Sequence, residues 1–341
     1  MADLRFAIIG TGFWARYQLA GWRELPGVRC VALYNRTRAK AEALAREFEV
    51  SAVYDDAAKL FAEEKLDFVD VITGVDSHRD FVARAAAHKI PVICQKPMAP
   101  TPADAEAMMA ACQRAGVPLL INENWRWQTP LRELQKVLAA GTIGSVFRAR
   151  IDYCNSFPVF DNQPALKREE RFILADMGSH IFDVARFLFG EAAWICCQTH
   201  RVHRDIQGED VATALLQMRS GADVTCNLSY ASRVEHDKFP ETFVCVEGTE
   251  GSVELRPDFW VRVTTREGTT ARRCPPPFYP WADARYAVVH SSIVDCQRNL
   301  LQALRQEGRA ETTGEDNLKT LQLVHAAYQS AAAGSIVRLA A

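Results

Sequence analysis

The sequence LRFAIIGTGFWA, from Leu4 to Ala15, decides the fold of the first half of the chain. Its apolar run predicts a strand, its glycines predict a tight turn, and the residues after Gly12 predict a helix. This is the G-x-G-x-x-A form of the dinucleotide-binding fingerprint, in which Gly10 permits the turn and Gly12 lets the backbone approach a pyrophosphate. The sequence therefore predicts a dinucleotide site, with candidate cofactor contacts at Gly10, Gly12, Phe13, Trp14 and Ala15.

A second predicted strand, Val28 to Tyr34, ends at the polar segment Asn35-Arg36-Thr37-Arg38. Sites that prefer NAD usually have an acid here, which binds the ribose 2′-hydroxyl. Asn35 can accept that hydrogen bond without repelling a phosphate, and Arg36 and Arg38 are able to bind a 2′-phosphate. The predicted cofactor is therefore NAD(P), with a slight lean to NADP. The alternative is that both arginines are solvated charges at the start of a helix.

Strands and helices alternate along the rest of this half. Such alternation is typical of a parallel, doubly wound sheet, whose ligands lie beyond the carboxyl ends of the strands. The sequence predicts helices over Ala39–Phe48 and Thr101–Ala115 and strands over Asp67–Thr73, Pro91–Cys94 and Val117–Asn122. The further candidate cofactor contacts near these strand ends are Thr73, His78, Gln95, Lys96, Pro97 and Asn124.

Lys96 directly follows a predicted buried strand, and Pro97 restricts the backbone after it. A lysine at the mouth of a cofactor crevice can hydrogen-bond a substrate hydroxyl or stabilise the charge of a developing alkoxide. The alternative is a surface lysine whose stem covers apolar neighbours. We expect Lys96 to contact both the cofactor and the substrate.

The second half has a different pattern. A helix is predicted over Pro130–Gly141, followed by many strand-like runs and few helices, which favours an antiparallel sheet in an α+β domain. The predicted strands are Val146–Cys154, Ala193–His203, Val211–Met218, Ala222–Ser229, Thr242–Glu247, Ser252–Leu255 and Trp260–Thr265. The predicted domains are 1–122 and 123–341, and the closing helices, Ala287–Gln306 and Asn317–Ala333, are candidates to pack back on the first domain.

Within this half, LADMGSHIFDVARFLFG, from Leu174 to Gly190, predicts a single amphipathic helix. Its spacing brings Asp176, His180 and Asp183 to one face, opposite an apolar stripe. Carboxylates beside an imidazole fix its tautomer and raise its basicity, which suits proton transfer near neutral pH. The alternative is an ordinary solvated polar face.

Composition limits the class of protein. The chain has 341 residues, 48% of them hydrophobic, and a net charge of −2, which predicts a protein of two domains that binds neither nucleic acid nor a membrane surface. The chain starts with a strand pattern, so no signal peptide is expected. Ten scattered cysteines without a C-x-x-C pair predict reduced thiols, a cytoplasmic location and no metal site.

With these motifs located, nearly the whole chain resembles the glucose–fructose oxidoreductase / inositol dehydrogenase / rhizopine-catabolism (Gfo/Idh/MocA) family. The likeness is carried by GTGFWA, by TGVDSH at Thr73–His78, by CQKPMA at Cys94–Ala99, by NENWRW at Asn122–Trp127, by DMGSHIFD at Asp176–Asp183, and by the segment that begins TTGEDN. Two positions depart from the family pattern. Gln95 replaces a glutamate, and Asn35 replaces the acid common in members that prefer NAD.

The resemblance implies a Rossmann domain followed by a domain with a large, open, mainly antiparallel sheet, which is often an oligomer interface in the family. A homodimer or homotetramer through that sheet is therefore expected. By motif position, Lys96, Asp176 and His180 match the catalytic lysine, aspartate and histidine, and Asp183 matches a substrate-contacting acid. The candidate substrate contacts are Lys96, Asn124, Tyr153, Asn155, Arg171, Asp176, His180 and Asp183.

The predicted reaction is hydride transfer between a nicotinamide and a hydroxyl or carbonyl of a sugar, inositol or sugar derivative. The bound nicotinamide supplies the redox chemistry, and the protein supplies placement. One alternative is a glycoside hydrolase on the same fold that works by transient oxidation and elimination, and so accumulates no reduced cofactor. Another is a non-catalytic cofactor-binding regulator, which we would expect to lack the lysine or the histidine.

Overall fold

A computed structural model describes residues 3–340, apart from the side chain of residue 162. Outside the described residues lie Met1, Ala2 and Ala341. The first position of the predicted first domain and the last position of the predicted second domain fall on these residues. The chain divides into two compact units. The first takes in the residues up to Asn124 together with Tyr279–Asp283 and His290–Leu321, and the second takes in Trp125–Phe278, Ala284–Val289 and the residues from Gln322 onward. Two later segments thus belong to the first unit, and the second of them, His290–Leu321, includes parts of both closing helices that were candidates to pack on the first domain. The predicted domain limits themselves stay predictions.

The first unit contains a six-stranded sheet in which every pairing is parallel, with the order β3-β2-β1-β4-β5-β6. The chain runs outward from β1 in one direction and then from β4 in the other, so the carboxyl ends of β1 and β4 flank the crevice where such sheets bind nucleotides. The strands are β1 (Leu4–Ile9), β2 (Val28–Tyr34), β3 (Ala52–Tyr54), β4 (Phe68–Val71), β5 (Val92–Gln95) and β6 (Leu119–Asn122).

Helices pack against this sheet, and residues of β1, β4 and β5 are fully buried, as is typical of a parallel sheet. Local sequence explains where they begin and end. In one of them Thr101 caps the first turn by accepting the Asp104 N–H at 3.1 Å, and Gly116 ends it with a φ of +71°. The helices are α1 (Phe13–Arg23), α2 (Arg38–Phe48), α3 (Ala57–Glu63), α4 (His78–Ala87) and α5 (Pro102–Ala115).

The second unit contains a nine-stranded sheet with the order β14-β13-β12-β11-β7-β10-β9-β8-β15. Its pairings are antiparallel except that of β7 with β10, which is parallel. The strands are β7 (Val146–Cys154), β8 (Ala192–His200), β9 (Val211–Met218), β10 (Asp223–Ser229), β11 (Phe243–Gly248), β12 (Gly251–Arg256), β13 (Trp260–Thr265), β14 (Gly268–Arg273) and β15 (Val337–Arg338). The predicted fold class, a doubly wound parallel sheet followed by a mainly antiparallel one, is confirmed.

Five more helices complete the described chain: α6 (Thr129–Ala139), α7 (Val159–Asn162), α8 (Ser179–Phe189), α9 (Ala287–Leu304) and α10 (Gly314–Ala333). The sequence prediction missed β3 and α3, which are short, and also β14 and β15. The segment predicted to be irregular, Asn155 to Arg171, contains α7 and a 3-10 turn at Pro164–Arg168. Within residues 3–340, no helix is long and apolar enough to cross a lipid bilayer.

Candidate active site

The glycine turn between β1 and α1 has the geometry that its sequence predicts. Gly10 has a φ of +100°, and a Cβ there would lie 2.8 Å from the carbonyl oxygen of Ile72. Only glycine satisfies both constraints. Gly12 is exposed, and a Cβ built on it would meet nothing within 4 Å, so open space lies in front of the first turn of α1. That turn carries no acidic side chain, and Gly12 provides no cap. The turn therefore fits a pyrophosphate, which would bind the free helix N–H groups.

Three residues after β2 were candidates for the adenosine end of the cofactor. The side chain of Asn35 accepts the Thr11 N–H at 3.2 Å and donates to the Thr37 carbonyl at 3.0 Å, so it braces the glycine turn. Arg38 pairs with Glu42 at 2.8 Å and lies 3.8 Å from Asp55. Arg36 is exposed. Arg38 thus has two carboxylates beside it, both on the surface, and the choice between NAD and NADP stays a prediction.

Lys96 is half-buried in the loop that follows β5. The side-chain oxygen of Gln95 accepts the Lys96 backbone N–H at 2.9 Å, and Pro97 follows through a cis peptide bond. A glutamate at position 95 would offer the same kind of acceptor. Glutamine therefore keeps the hydrogen bond that orients the loop but adds no negative charge beside the lysine.

His78 is 1% exposed, and its ring contacts two backbone carbonyls, while its contact with the cofactor stays a prediction. Its Nδ1 lies 3.2 Å from the Met98 carbonyl oxygen and its Nε2 lies 3.1 Å from that of Thr73. Burial lowers the pKa of this imidazole, although the nearby carbonyls partly offset the shift. His78 therefore joins the loop after β4 to the loop that carries Lys96.

Asn124 is 7% exposed, and its side-chain amide donates to the Ser292 hydroxyl at 2.7 Å. This bond fixes the amide in the first unit, beside α9. The candidate roles of Asn124 towards cofactor and substrate stay predictions.

The predicted helix Leu174–Gly190 is not one regular α-helix. Leu174–Gly178 form a π-turn, and α8 continues from it. Such turns in a helix are frequent at functional sites, and this one changes the side-chain spacing on which the prediction relied. Asp176 lies in the π-turn and His180 in the first turn of α8. Nearly all of α8 is buried, so the alternative of a solvated polar face is wrong.

The imidazole of His180 is 4% exposed and stacks on the indole of Trp125, with 4.4 Å between ring centroids and 26° between planes. The indole N–H in turn donates to the Thr242 hydroxyl at 2.9 Å. The His180 ring is therefore held in one orientation by a residue that is itself anchored. Thr242 was not identified from the sequence, because nothing local to it marks a contact 117 residues away.

Asp183 is fully buried in a bidentate ion pair with Arg126, at 2.7 and 2.6 Å. Arg186 lies 4.0 Å from the same carboxylate. Asp183 therefore faces protein cations in this structure and presents no exposed surface to a ligand.

Tyr153 and Asn155 are 1% and 2% exposed, and their contacts with a substrate stay predictions. The Tyr153 ring packs edge-on against Trp125, and its hydroxyl lies 3.5 Å from that of Tyr230. Burial raises the pKa of Tyr153 far above its ordinary value, and the charge of Asp176 adds to the shift. Arg171 is exposed, with its guanidinium 4.9 Å from the centre of the Tyr328 ring.

Comparison with known proteins identifies the fold and both halves of the chain. The family model described as oxidoreductase family, NAD-binding Rossmann fold, matches residues 4–123, and the model of the GFO/IDH/MocA C-terminal domain matches residues 131–254. The chain is 44% identical to a D-apiose dehydrogenase from Paraburkholderia graminis, over 98% of this chain and 89% of the relative. It is 40% identical to a D-apiose dehydrogenase from Rhizobium rhizogenes, over 100% of this chain and 99% of the relative.

The chain belongs to the Gfo/Idh/MocA family. A crystal structure of an oxidoreductase from Agrobacterium radiobacter, in complex with NAD+, L-tartaric acid and magnesium, superimposes with a TM-score of 0.97 at 40% identity, covering 99% of this chain and 98% of that one. The predicted family and activity are confirmed: this Gfo/Idh/MocA protein is an NAD(P)-dependent oxidoreductase that acts on a sugar or sugar derivative.

The joint role of Lys96, Asp176 and His180 stays a prediction, because the lysine belongs to the first unit and the other two belong to the second. The structure describes the local support of Lys96 and His180. Gln95 and His78 hold the lysine loop, and Trp125 holds the histidine.

Proposed function

We propose that this protein is a D-apiose dehydrogenase. The observation that carries the proposal is the identity of 44% and 40% to two proteins with that activity over nearly the full chain. The open glycine turn supports it, because the free N–H groups of α1 fit the pyrophosphate of a dinucleotide.

In the proposed reaction, the bound nicotinamide supplies the hydride chemistry. His180 takes the proton from the substrate hydroxyl as general base, and its stacking on Trp125 limits the directions in which it can do so. Lys96 hydrogen-bonds the reacting oxygen and stabilises its developing charge. Asp176 orients the site, and we assign Asp183 to the support of α8 through Arg126.

We propose NAD as the preferred cofactor, in place of the slight lean to NADP that the sequence suggested. Arg38, one of the two arginines behind that lean, pairs with Glu42 and lies near Asp55. Two carboxylates this close to the ribose end disfavour a 2′-phosphate, while Asn35 sits where a 2′-hydroxyl is usually bound.

We also propose that the protein works as a homodimer or homotetramer through the sheet of the second unit. A cavity of about 460 Å³ is lined by residues of that sheet. Arg150, Asp152, Phe243 and Cys245 are among the residues that line it, and Leu215 of the same sheet is 38% exposed. Light scattering of the purified protein tests the oligomer. A cytoplasmic location is proposed from the ten free cysteines.

A substrate panel tests the activity. The purified protein is assayed for NADH or NADPH formation with D-apiose, D-xylose and myo-inositol. We expect the highest kcat/KM with D-apiose and NAD. Oxidation of xylose or inositol with a higher kcat/KM than D-apiose would contradict the substrate, and faster turnover with NADP would contradict the cofactor.

Two substitutions test the proposed roles. Lys96→Ala and His180→Ala should each lower kcat by about 100-fold or more, since acid–base assistance alone contributes about 10²–10⁴-fold. The matched controls are Lys59→Ala and His200→Ala, which remove exposed side chains of α3 and β8. Turnover near the level of the controls in both test variants would refute the assignment.

A further inference from the structure

The helix that carries Asp176 has an unusual N-terminus. The first N–H groups of a helix have no partner within it and are normally capped by a nearby side chain. Here the residue before the π-turn, Ile173, provides no such cap. Instead, four successive N–H groups bond to two distant residues. Those of Phe172 and Leu174 donate to the Glu209 carboxylate at 3.3 and 3.1 Å, and that of Ile173 donates to the Glu209 backbone carbonyl at 3.1 Å. The Ala175 N–H donates to the Tyr328 hydroxyl at 3.1 Å.

Glu209 and Tyr328 act together. The Tyr328 hydroxyl donates to the Glu209 carboxylate at 2.7 Å while it accepts the Ala175 N–H. Burial raises the pKa of Tyr328 far above its ordinary value, and the neighbouring charge of Glu209 adds to the shift. The hydroxyl therefore keeps its proton and can serve as donor and acceptor at once. A carboxylate at a helix N-terminus is also favoured by the helix dipole.

Close contact of two loops allows this arrangement. Gly208 lies so near the segment before the helix that a Cβ there would be 2.7 Å from the Glu169 carbonyl oxygen and 3.1 Å from the Phe172 nitrogen. The neighbouring Gln207 N–H donates to the Lys167 carbonyl at 2.9 Å. Glycine at position 208 is thus what brings the Glu209 carboxylate within reach of the helix.

Asp176 is the next residue along. Its N–H bonds to the Phe172 carbonyl at 2.8 Å, so it is the first residue after the four capped ones to bond within the helix. We propose that Glu209 and Tyr328 are positioning residues: their distant cap fixes where the π-turn begins and, with it, the placement of Asp176 and of His180 four residues later. The inference rests on the proposed roles of Asp176 and His180.

Tyr328→Phe is the most direct test, because it removes a single oxygen atom and keeps the ring under Arg171. We expect kcat to fall by about 10- to 100-fold, the scale expected when a catalytic group is misplaced by a fraction of an ångström to 1 Å. KM for NAD should stay unchanged, since the glycine turn lies in the first unit. The pH profile of kcat should change as well, because the surroundings of His180 move.

The matched control is Tyr54→Phe, which also removes a tyrosine–glutamate hydrogen bond, that of Tyr54 with Glu64 at 3.1 Å in the first unit. It should lower Tm in a similar way and leave kcat as in the wild type. If Tyr328→Phe lowers Tm but matches the control in kcat and pH profile, the positioning role is overturned.

Glu209→Gln and Glu209→Ala provide a second measurement that does not depend on Tyr328. Glutamine keeps one acceptor oxygen, so its kcat should lie between those of the wild type and the alanine variant, while equal kcat in all three would overturn the proposal. Hydrogen exchange at the amides of residues 172–175 should quicken in Tyr328→Phe, and unchanged exchange would count against the cap itself. A wild-type protein inactive on every sugar would instead refute the proposed function, and the exchange result would still stand.

Discussion

The N-terminus of α1, in the first unit, and the N-terminus of the helix that carries Asp176, in the second, meet the same requirement in opposite ways. Both present backbone N–H groups that their own helix leaves unsatisfied. In α1 Gly12 provides no cap, and open space lies in front of it. In the other helix Glu209 and Tyr328 occupy the four successive N–H groups.

The difference separates two uses of one physical feature. An open N-terminus binds an anion, because the N–H groups and the helix dipole favour negative charge. A closed N-terminus cannot take a ligand, but it fixes the side chains of its first turn. In our proposals the open helix binds the cofactor, and the closed one holds the acid–base residues.

The largest effect is expected from capping the open N-terminus of α1. Gly12→Asp places a carboxylate at the N-cap, where aspartate is as favourable as any residue. The protein should fold with an unchanged or slightly higher Tm, while the Kd for NADH rises about 1,000-fold, or roughly 4 kcal/mol, because the carboxylate excludes and repels the pyrophosphate. Titration of NADH fluorescence measures the Kd. Gly308→Asp, at an exposed glycine far along the chain, is the control, and tight NADH binding by Gly12→Asp would refute the pyrophosphate site.

The closed region can be tested one turn further on, at the ion pair of Asp183 with Arg126. Asp183→Asn leaves a buried guanidinium with a neutral partner and should lower the free energy of unfolding by about 3 kcal/mol. Urea unfolding measures the change. The double variant Asp183→Leu/Arg126→Met should recover part of the loss, because it removes both charges. A normal stability with a raised KM for the sugar would show that Asp183 contacts the substrate, as the family resemblance implies.

The units also differ in how they hold a buried carboxylate. Asp183, in the second unit, pairs with an arginine, whereas Asp70 in β4, in the first unit, accepts a hydrogen bond from an indole. Asp70 is fully buried with one indole hydrogen bond, from Trp22 at 2.8 Å, and burial raises its pKa from 3.8 to about 7. Because the folded pKa exceeds the unfolded one, the protonated form stabilises the fold below about pH 4, and this contribution is lost as the pH rises towards 7.

In the wild type we therefore expect the free energy of unfolding to fall by about 2 kcal/mol between pH 5 and pH 7. Asp70→Asn should abolish this fall. Urea titrations at both pH values measure it. The exposed Asp80→Asn serves as control, since Asp80 pairs only with Arg84 on the surface of α4 among the described contacts. The same pH slope in Asp70→Asn as in the wild type would contradict the shifted pKa.

The smallest expected effect comes from loosening the closed helix without touching its donors. Gly208→Ala inserts a methyl group against the Glu169 carbonyl and should lower the free energy of unfolding by about 1–2 kcal/mol and reduce kcat. Gly308→Ala, where a Cβ would have an ordinary contact at 3.9 Å, is the matched control. Equal Tm and kcat in the two variants would show that the loop has more room than the structure indicates.

The open helix was predictable from sequence and the closed one was not, for a physical reason. The positive φ of Gly10 and the place of Gly12 before α1 belong to a strand, a turn and a helix that are adjacent in the chain, so a local motif records them. The contact that a Cβ on Gly10 would make with Ile72 is distant in sequence and was not predictable in this way. The periodicity of residues 174–190 located Asp176 and His180, but it assumed a regular α-helix and missed the π-turn.

The supporting residues lay beyond any local pattern. Tyr328 bonds to Ala175 across 153 positions, and Glu209 bonds to Leu174 across 35. A glutamate in a polar loop and a tyrosine in a closing helix look like many others until the fold brings them together. His78 was located by its motif, but its contacts with two carbonyls depend on how two strand ends meet.

The distant cap also bears on how this enzyme can be recombined with its relatives. The donors at residues 172–175 and the acceptors at 209 and 328 come from three separate segments. A chimera with a crossover point between 176 and 208, or between 210 and 327, takes them from different parents. Libraries built by shuffling homologous genes should therefore keep these three segments from a single parent and place their junctions elsewhere.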